Sequence, residues 1–248
     1  MIGKKYEEVW LREGSAHEVN EREGFFENLN VDSKLIADLG AGTLRFSLEA
    51  IRKGCREAVG LDLYRGLLKW GLKKAKEQKM DERVSVIVAD VRYLPLRSNV
   101  FDAVAAIAVF EHIPKGQILF LNEVYRVLKP SGTAVIDTWN AIPVMVGRLL
   151  RLTKDEIERW KKPFYYRNYY PWEFKQLLIS CKFKSIRIVG AHNTYFTTFM
   201  KKKLHSINLR KASRLLLLSE IIVDKIFRRF VPLNWITGRF LIAILKKK

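Results

Sequence analysis

Few folds can use the run Ile36-Ala37-Asp38-Leu39-Gly40-Ala41-Gly42, in which an apolar strand meets two glycines one residue apart and then opens an amphipathic stretch. Glycines in that position let the main chain turn tightly and pass close to a ligand. From residue 34 onward, short apolar or β-branched runs alternate with amphipathic ones, the pattern of βαβ units and a parallel sheet. The pattern predicts strands over 34–39, 58–63, 84–89, 101–108 and 133–139. Helices are expected over 44–53, closed by Gly54, over 66–79 and over 117–128. Lys129-Pro130-Ser131-Gly132 is expected to turn the chain into the fifth strand.

In such sheets ligands bind at the carboxyl ends of the strands. Four successive strand ends there offer an acceptor: Asp38, Asp62, Asp90 and Glu111. Asp62 follows Gly42 by 20 residues, the spacing at which a carboxylate accepts the two hydroxyls of a ribose. A single Asp after a strand is ordinarily a turn former or a helix cap. Four in consecutive units, beside a glycine turn, outweigh that reading. A dinucleotide fold would place a third glycine where Arg45 stands, and the Asp38 carboxylate would repel a pyrophosphate. An acidic rim suits a nucleoside without phosphate that carries positive charge, and S-adenosylmethionine is one.

Several stretches resemble class I S-adenosylmethionine-dependent methyltransferases. Residues 36–42 resemble the first motif, and Val59-Gly60-Leu61-Asp62 the second. Ala89-Asp90, Leu94-Pro95-Leu96, Phe101-Asp102 and the run from Glu123 to Gly132 are similar to the type 11 subfamily. The likeness is dense over 34–140 and looser through the predicted strands near 184–189 and 239–245. It implies a Rossmann-like seven-stranded α/β sheet whose last strand is antiparallel, with a helical insertion before it. It also implies that Asp38, Gly40 and Gly42 face the methionine part of the cofactor, Asp62 and Leu63 the ribose side, and Asp90 with Val91 the adenine. Ala108 would offer a backbone carbonyl to the amino group. Ala41 departs from the Cys or Ser of many relatives.

The remainder of the chain reads differently. The net charge is +19, yet residues 1–140 carry only +1 and residues 141–248 carry +18. Such asymmetry suggests a surface that meets phosphates, in nucleic acid or in lipid headgroups; the alternative is a lysine-rich solvated face. The expected organisation is a single domain over 1–248: an N-terminal helical lid over 1–33, a cofactor-binding core over 34–140, acceptor-side helices over 141–183, and a basic amphipathic insertion over 190–237. Within that insertion, 209–231 has the spacing of an amphipathic helix that lies on a membrane, binds a partner or covers the sheet. Cys55 and Cys181 lie at no disulfide or metal-ligand spacing, and no apolar run approaches a membrane span, so a cytoplasmic protein, peripheral at a membrane if associated with one, is expected.

Methyl transfer from a sulfonium needs alignment, and a general base only when the acceptor must lose a proton. His112, after the fourth strand, is the candidate base; the alternative is a histidine packed against Ile113 and Pro114. His17, His192 and His205 show no metal or triad spacing. Tyr6 and Trp10 share a face of a predicted first helix, as lid or as packing. Trp139, Trp160, Phe164, Tyr165, Tyr166, Tyr169, Tyr170 and Trp172 gather aromatics among Lys161, Lys162 and Arg167, suited to stacking a base or receiving an apolar acceptor. The leading expectation is a small-molecule or lipid-like acceptor, quinone-like for instance, with an anionic membrane as partner surface. RNA, tRNA in particular, is the alternative, and a non-catalytic S-adenosylmethionine-binding module is a third.

Overall fold

A computed structural model describes residues 24–149, 165–191, 235 and 238–248. Tyr6, Trp10, Trp160, Phe164, His17, His192, His205 and the 209–231 segment lie outside them. A short helix α1 (Gly24–Asn28) precedes β1 (Leu35–Leu39), α2 (Arg45–Arg52), β2 (Glu57–Asp62), α3 (Arg65–Glu77) and β3 (Val84–Val88). Then come β4 (Phe101–Ala106), a 3-10 turn (Phe110–His112), α4 (Gln117–Val127), β5 (Leu128–Trp139) and α5 (Ala141–Leu149). The described chain closes with α6 (Pro171–Ile179), β6 (Ser185–Ala191) and β7 (Phe240–Lys246).

The seven strands order as β3-β2-β1-β4-β5-β7-β6. Strands β1 to β5 pair in parallel, and β7 runs antiparallel to both β5 and β6. Strand order reverses between β1 and β4, which opens the crevice where such sheets take ligands. Strands buried on both faces read as continuous apolar runs, and β1 and β4 do. Their alternate residues feed two cores: Ala37, Leu39, Val104 and Ala106 pack with Phe110, Phe120 and Phe174, whereas Ile36, Ala103 and Ala105 pack with Phe25, Leu48 and Ile51.

Most boundaries fall within two residues of the sequence expectation, and three of the differences have a visible cause. The second strand stops at Asp62, because Asp62 turns its carboxylate onto the amide of Tyr64. The fourth stops at Ala106, two residues before Ala108 turns into a left-handed conformation at φ 55°. The fifth begins at Leu128, so Lys129 to Gly132 lie inside it; a register shift against β4 between Phe101 and Ala103 and a positive φ at Ser131 absorb the expected turn.

Candidate active site

At the end of β1 the amides of Gly40 and Ala41 both donate to the Leu61 carbonyl, at 2.7 and 2.9 Å. The turn is thereby stapled across to β2. The two glycines then serve different ends. At Gly40 (φ 72°) an added Cβ would stand 2.1 Å from Val109 Cγ2, so the turn and the loop after β4 are packed to contact there. At Gly42 (φ 52°) an added Cβ meets nothing within 4 Å. Gly42 borders open space.

Asp62 holds the centre of this edge. Its Oδ2 accepts the Gly42 amide at 2.8 Å and its Oδ1 accepts the Tyr64 amide at 2.8 Å. An N–H on each oxygen fixes the carboxylate plane. Leu63, next to it, is 57% exposed, an unusual state for a leucine beside a crevice.

Asp38 is only 2% exposed and accepts the Ser47 hydroxyl at 2.6 Å across the first turn of α2. Burial pushes its carboxyl up to about 6; the Ser47 hydrogen bonds oppose the rise, and the Asp62 charge adds to it. Two carboxylates therefore sit close enough at one edge to feel each other. Asp90 is engaged more heavily than expected: Arg92 Nε approaches both its oxygens at 2.9 and 3.1 Å, and Arg92 Nη2 reaches Oδ2 at 2.6 Å. That guanidinium holds the Asp90 carboxyl below the usual carboxylate range. Val91 is buried in the core with Leu94 and Phe101, so its side chain faces the interior.

On the other side of the crevice the Ala108 amide donates to Asp137 Oδ1 at 2.6 Å. Glu111 is buried, and its carbonyl accepts the Arg167 amide at 3.0 Å. His112 Nδ1 lies 3.0 Å from the Tyr165 carbonyl oxygen. A carbonyl only accepts, so Nδ1 is the donor in this contact. These two contacts dock the segment from Tyr165 to Arg167 onto the turn after β4, with the His112 and Tyr166 rings 5.7 Å apart. Trp139 stands 6.2 Å from Tyr166 and 4.6 Å from Phe240, and the Arg239 guanidinium lies over its ring at 4.7 Å. Tyr169 is wholly buried in the core, whereas Tyr170 stacks on the exposed Trp172.

Ser47, Arg92 and Asp137 are participants that the sequence reading passed over. Arg92 had a local signal, two residues beyond Asp90. Asp137 had another: it is a lone acid in the apolar run from Ala134 to Trp139. Among the described residues no group of three or more His, Cys, Asp or Glu side chains is placed to hold a metal, and no helix is long and apolar enough to cross a membrane.

Residues 37–136 match the family model described as a methyltransferase domain. A demethylmenaquinone methyltransferase of Bacteroides fragilis is 33% identical over 105 residues, which are 41% of this chain and 41% of that protein. A ubiquinone/menaquinone biosynthesis C-methyltransferase of Ruegeria is 29% identical over 109 residues, 44% of this chain and 43% of the relative. The chain therefore matches less than half the length of these curated relatives. Among solved structures, the Haemonchus contortus phosphoethanolamine N-methyltransferase 2, in complex with phosphomonomethylethanolamine and S-adenosylhomocysteine, superposes with a TM-score of 0.60 over 90% of this chain and 51% of that one, at 18% identity. At that identity it speaks for the fold.

Proposed function

We infer, from the premise that residues 37–136 are a methyltransferase domain of the class I, type 11 family, that the protein transfers a methyl group from S-adenosylmethionine to a small-molecule acceptor. The observation that carries the reading is Asp62, whose carboxylate is held by the backbone amides of Gly42 and Tyr64 at the end of β2, beside the glycine turn. The residues present fit the cofactor. Open space borders Gly42, and the carboxylates of Asp38 and Asp62 supply the negative potential that a sulfonium and an ammonium require.

In this reading Asp62 accepts the ribose hydroxyls and the exposed Leu63 offers an apolar face beside them. Asp90, held in place by Arg92, accepts from the adenine amino group, with the main chain at Val91 alongside. Asp38, Gly40 and Gly42 face the methionine part, and the Ala108 carbonyl accepts from its ammonium. When bound, the cofactor supplies an activated methyl group for in-line displacement. The protein's contribution is then alignment, and His112 takes a proton where the acceptor has one to lose.

The acceptor side is walled by Trp139, Tyr166, Phe240 and His112. Such a wall suits an apolar or aromatic small molecule, in keeping with the quinone substrates named for the sequence relatives. Residues 141–248 carry a net charge of +18, which favours peripheral contact with an anionic membrane. That charge also supports RNA as a second reading. A binding module without catalysis is the least favoured, since Asp62 and both glycines of the turn are present. Calorimetric titration with S-adenosylhomocysteine tests the site. Asp62→Ala is expected to weaken binding about tenfold to a hundredfold, as loss of a hydrogen bond to a charged group does. Unchanged affinity in that variant contradicts the assignment.

A further inference from the structure

Backbone pairing between β4 and β5 ends at Ala106 and Ile136. Two residues later Ala108 enters the left-handed region at φ 55°, which an alanine adopts only when its surroundings enforce it. The enforcing contact comes from the neighbouring strand: Asp137, the residue after Ile136, extends the ladder by its side chain, and its Oδ1 takes the Ala108 amide at 2.6 Å. Asp137 is 1% exposed, with Val135, Ile136 and Thr138 buried around it and Ile242 opposite on β7. A carboxylate is costly in such a place unless hydrogen bonds hold it.

The left-handed residue decides where the next side chain goes. Val109 is tucked against Gly40 so closely that a Cβ there would overlap it. The glycine turn is thus gripped from both sides, by the Leu61 carbonyl of β2 and by Val109. We propose that Asp137 is a positioning residue for cofactor binding: by fixing the Ala108 peptide it seats Val109 on Gly40 and keeps the glycine turn and the Ala108 carbonyl in the geometry the cofactor needs. Asp137 touches no reacting group itself. The inference rests on reading this edge as the S-adenosylmethionine site.

Three variants of the full chain test it: Asp137→Ala, Asp137→Ala with Ala108→Gly, and Val109→Ala. Each is read by amide hydrogen exchange at Ala108 and Gly40 without ligand, by titration with S-adenosylhomocysteine, and by thermal melting. Asp137→Ala is expected to speed exchange at the Ala108 amide and to weaken the ligand about tenfold or more, the scale of a lost charged hydrogen bond. Ala108→Gly in that background restores most of the affinity, because glycine holds the left-handed turn without help, while the amide stays unprotected. A residue that only stabilised the fold would give no such rescue. Val109→Ala weakens the ligand several-fold with the Ala108 amide still protected, and it judges the proposal if Asp137→Ala does not fold. Unaltered exchange in Asp137→Ala, no rescue by Ala108→Gly, or full affinity in Val109→Ala overturns the proposal. Should the unmodified protein bind no S-adenosylhomocysteine, the cofactor reading fails, and exchange at Ala108 and Gly40 still decides whether Asp137 holds the turn.

Discussion

The β3-β2-β1-β4 side of the sheet and the β5-β7-β6 side are built on opposite plans. On the first, contacts are local in sequence: Asp38 meets Ser47, Asp62 meets Gly42 and Tyr64, and Asp90 meets Arg92. On the second they are distant. Asn140, fully buried, donates to the carbonyls of Trp235 and Gly238, at separations of 95 and 98 residues, and Trp235 donates to the Ile188 carbonyl. Lys247 reaches back to Asn99 and to the carbonyls of Tyr125 and Leu128. Net charge is also uneven along the chain, +1 over residues 1–140 against +18 over 141–248. Among the described residues, Asp38, Asp62 and Asp90 stand on the first side, and Trp139 and Phe240 on the second. A mutation on the first side should therefore strike cofactor affinity, and one on the second should strike stability or the acceptor.

The sharpest break is expected at the glycine turn. Gly40→Ala combines a left-handed backbone with overlap against Val109, and together these cost about 3 kcal/mol of stability. Gly42→Ala meets no protein atom, so its cost to stability is the backbone term, about 1–2 kcal/mol, against both terms at Gly40. Parallel denaturant unfolding of the two variants checks the difference. Equal losses would mean that Val109 does not grip the turn.

Asp38 tests the same side through pH. Its folded-state value of about 6 lies above the ordinary 3.8, so the native protein keeps the proton longer than the unfolded chain. Stability contributed by this group therefore falls as pH rises from about 4 to about 6, and the full cost persists above that, at most about 3 kcal/mol. Asp38→Asn removes that cost. The variant should melt higher than the wild type at pH 8 and show no gain below pH 4. A cationic cofactor prefers the ionised group, so wild-type affinity should fall as pH drops through about 6, and the variant's should not. Calorimetry and melting across pH 4 to 8 check both signs.

On the other side, Lys247→Ala removes a cation that donates at 2.7 to 2.8 Å to three oxygens around the end of α4. About 1.5 kcal/mol of stability should be lost with cofactor affinity unchanged. Denaturant unfolding and titration on one sample read both quantities. A drop in affinity would show that the two sides are coupled more tightly than their contacts indicate.

This division also accounts for what was legible beforehand. The succession of strands and helices along the chain follows from short-range pattern, and the glycine turn and the strand-end acids Asp38 and Asp62 stand out in it because each follows an apolar run. Val91 reads as a site residue by adjacency to Asp90, yet its side chain turns into the core; alternation within an irregular loop gives no face. The Ala108–Asp137 contact spans 29 residues and joins two strands, so no local pattern announces it. The Nδ1 contact of His112 reaches a carbonyl 53 residues away. Arg92 was within reach, since a guanidinium two residues past a strand-end carboxylate is a short-range pair.

The proposed activity is methyl transfer at the acidic edge to a small molecule received on the aromatic side. Its most direct test incubates the protein with S-adenosylmethionine tritiated in the methyl group and a cell extract, then separates lipid-soluble small molecules, RNA and protein. Label is expected in the lipid-soluble fraction, reduced at least about tenfold at limiting cofactor when Asp62→Ala replaces the wild type. Label confined to RNA or protein, or label in the lipid-soluble fraction that Asp62→Ala leaves intact, would contradict it.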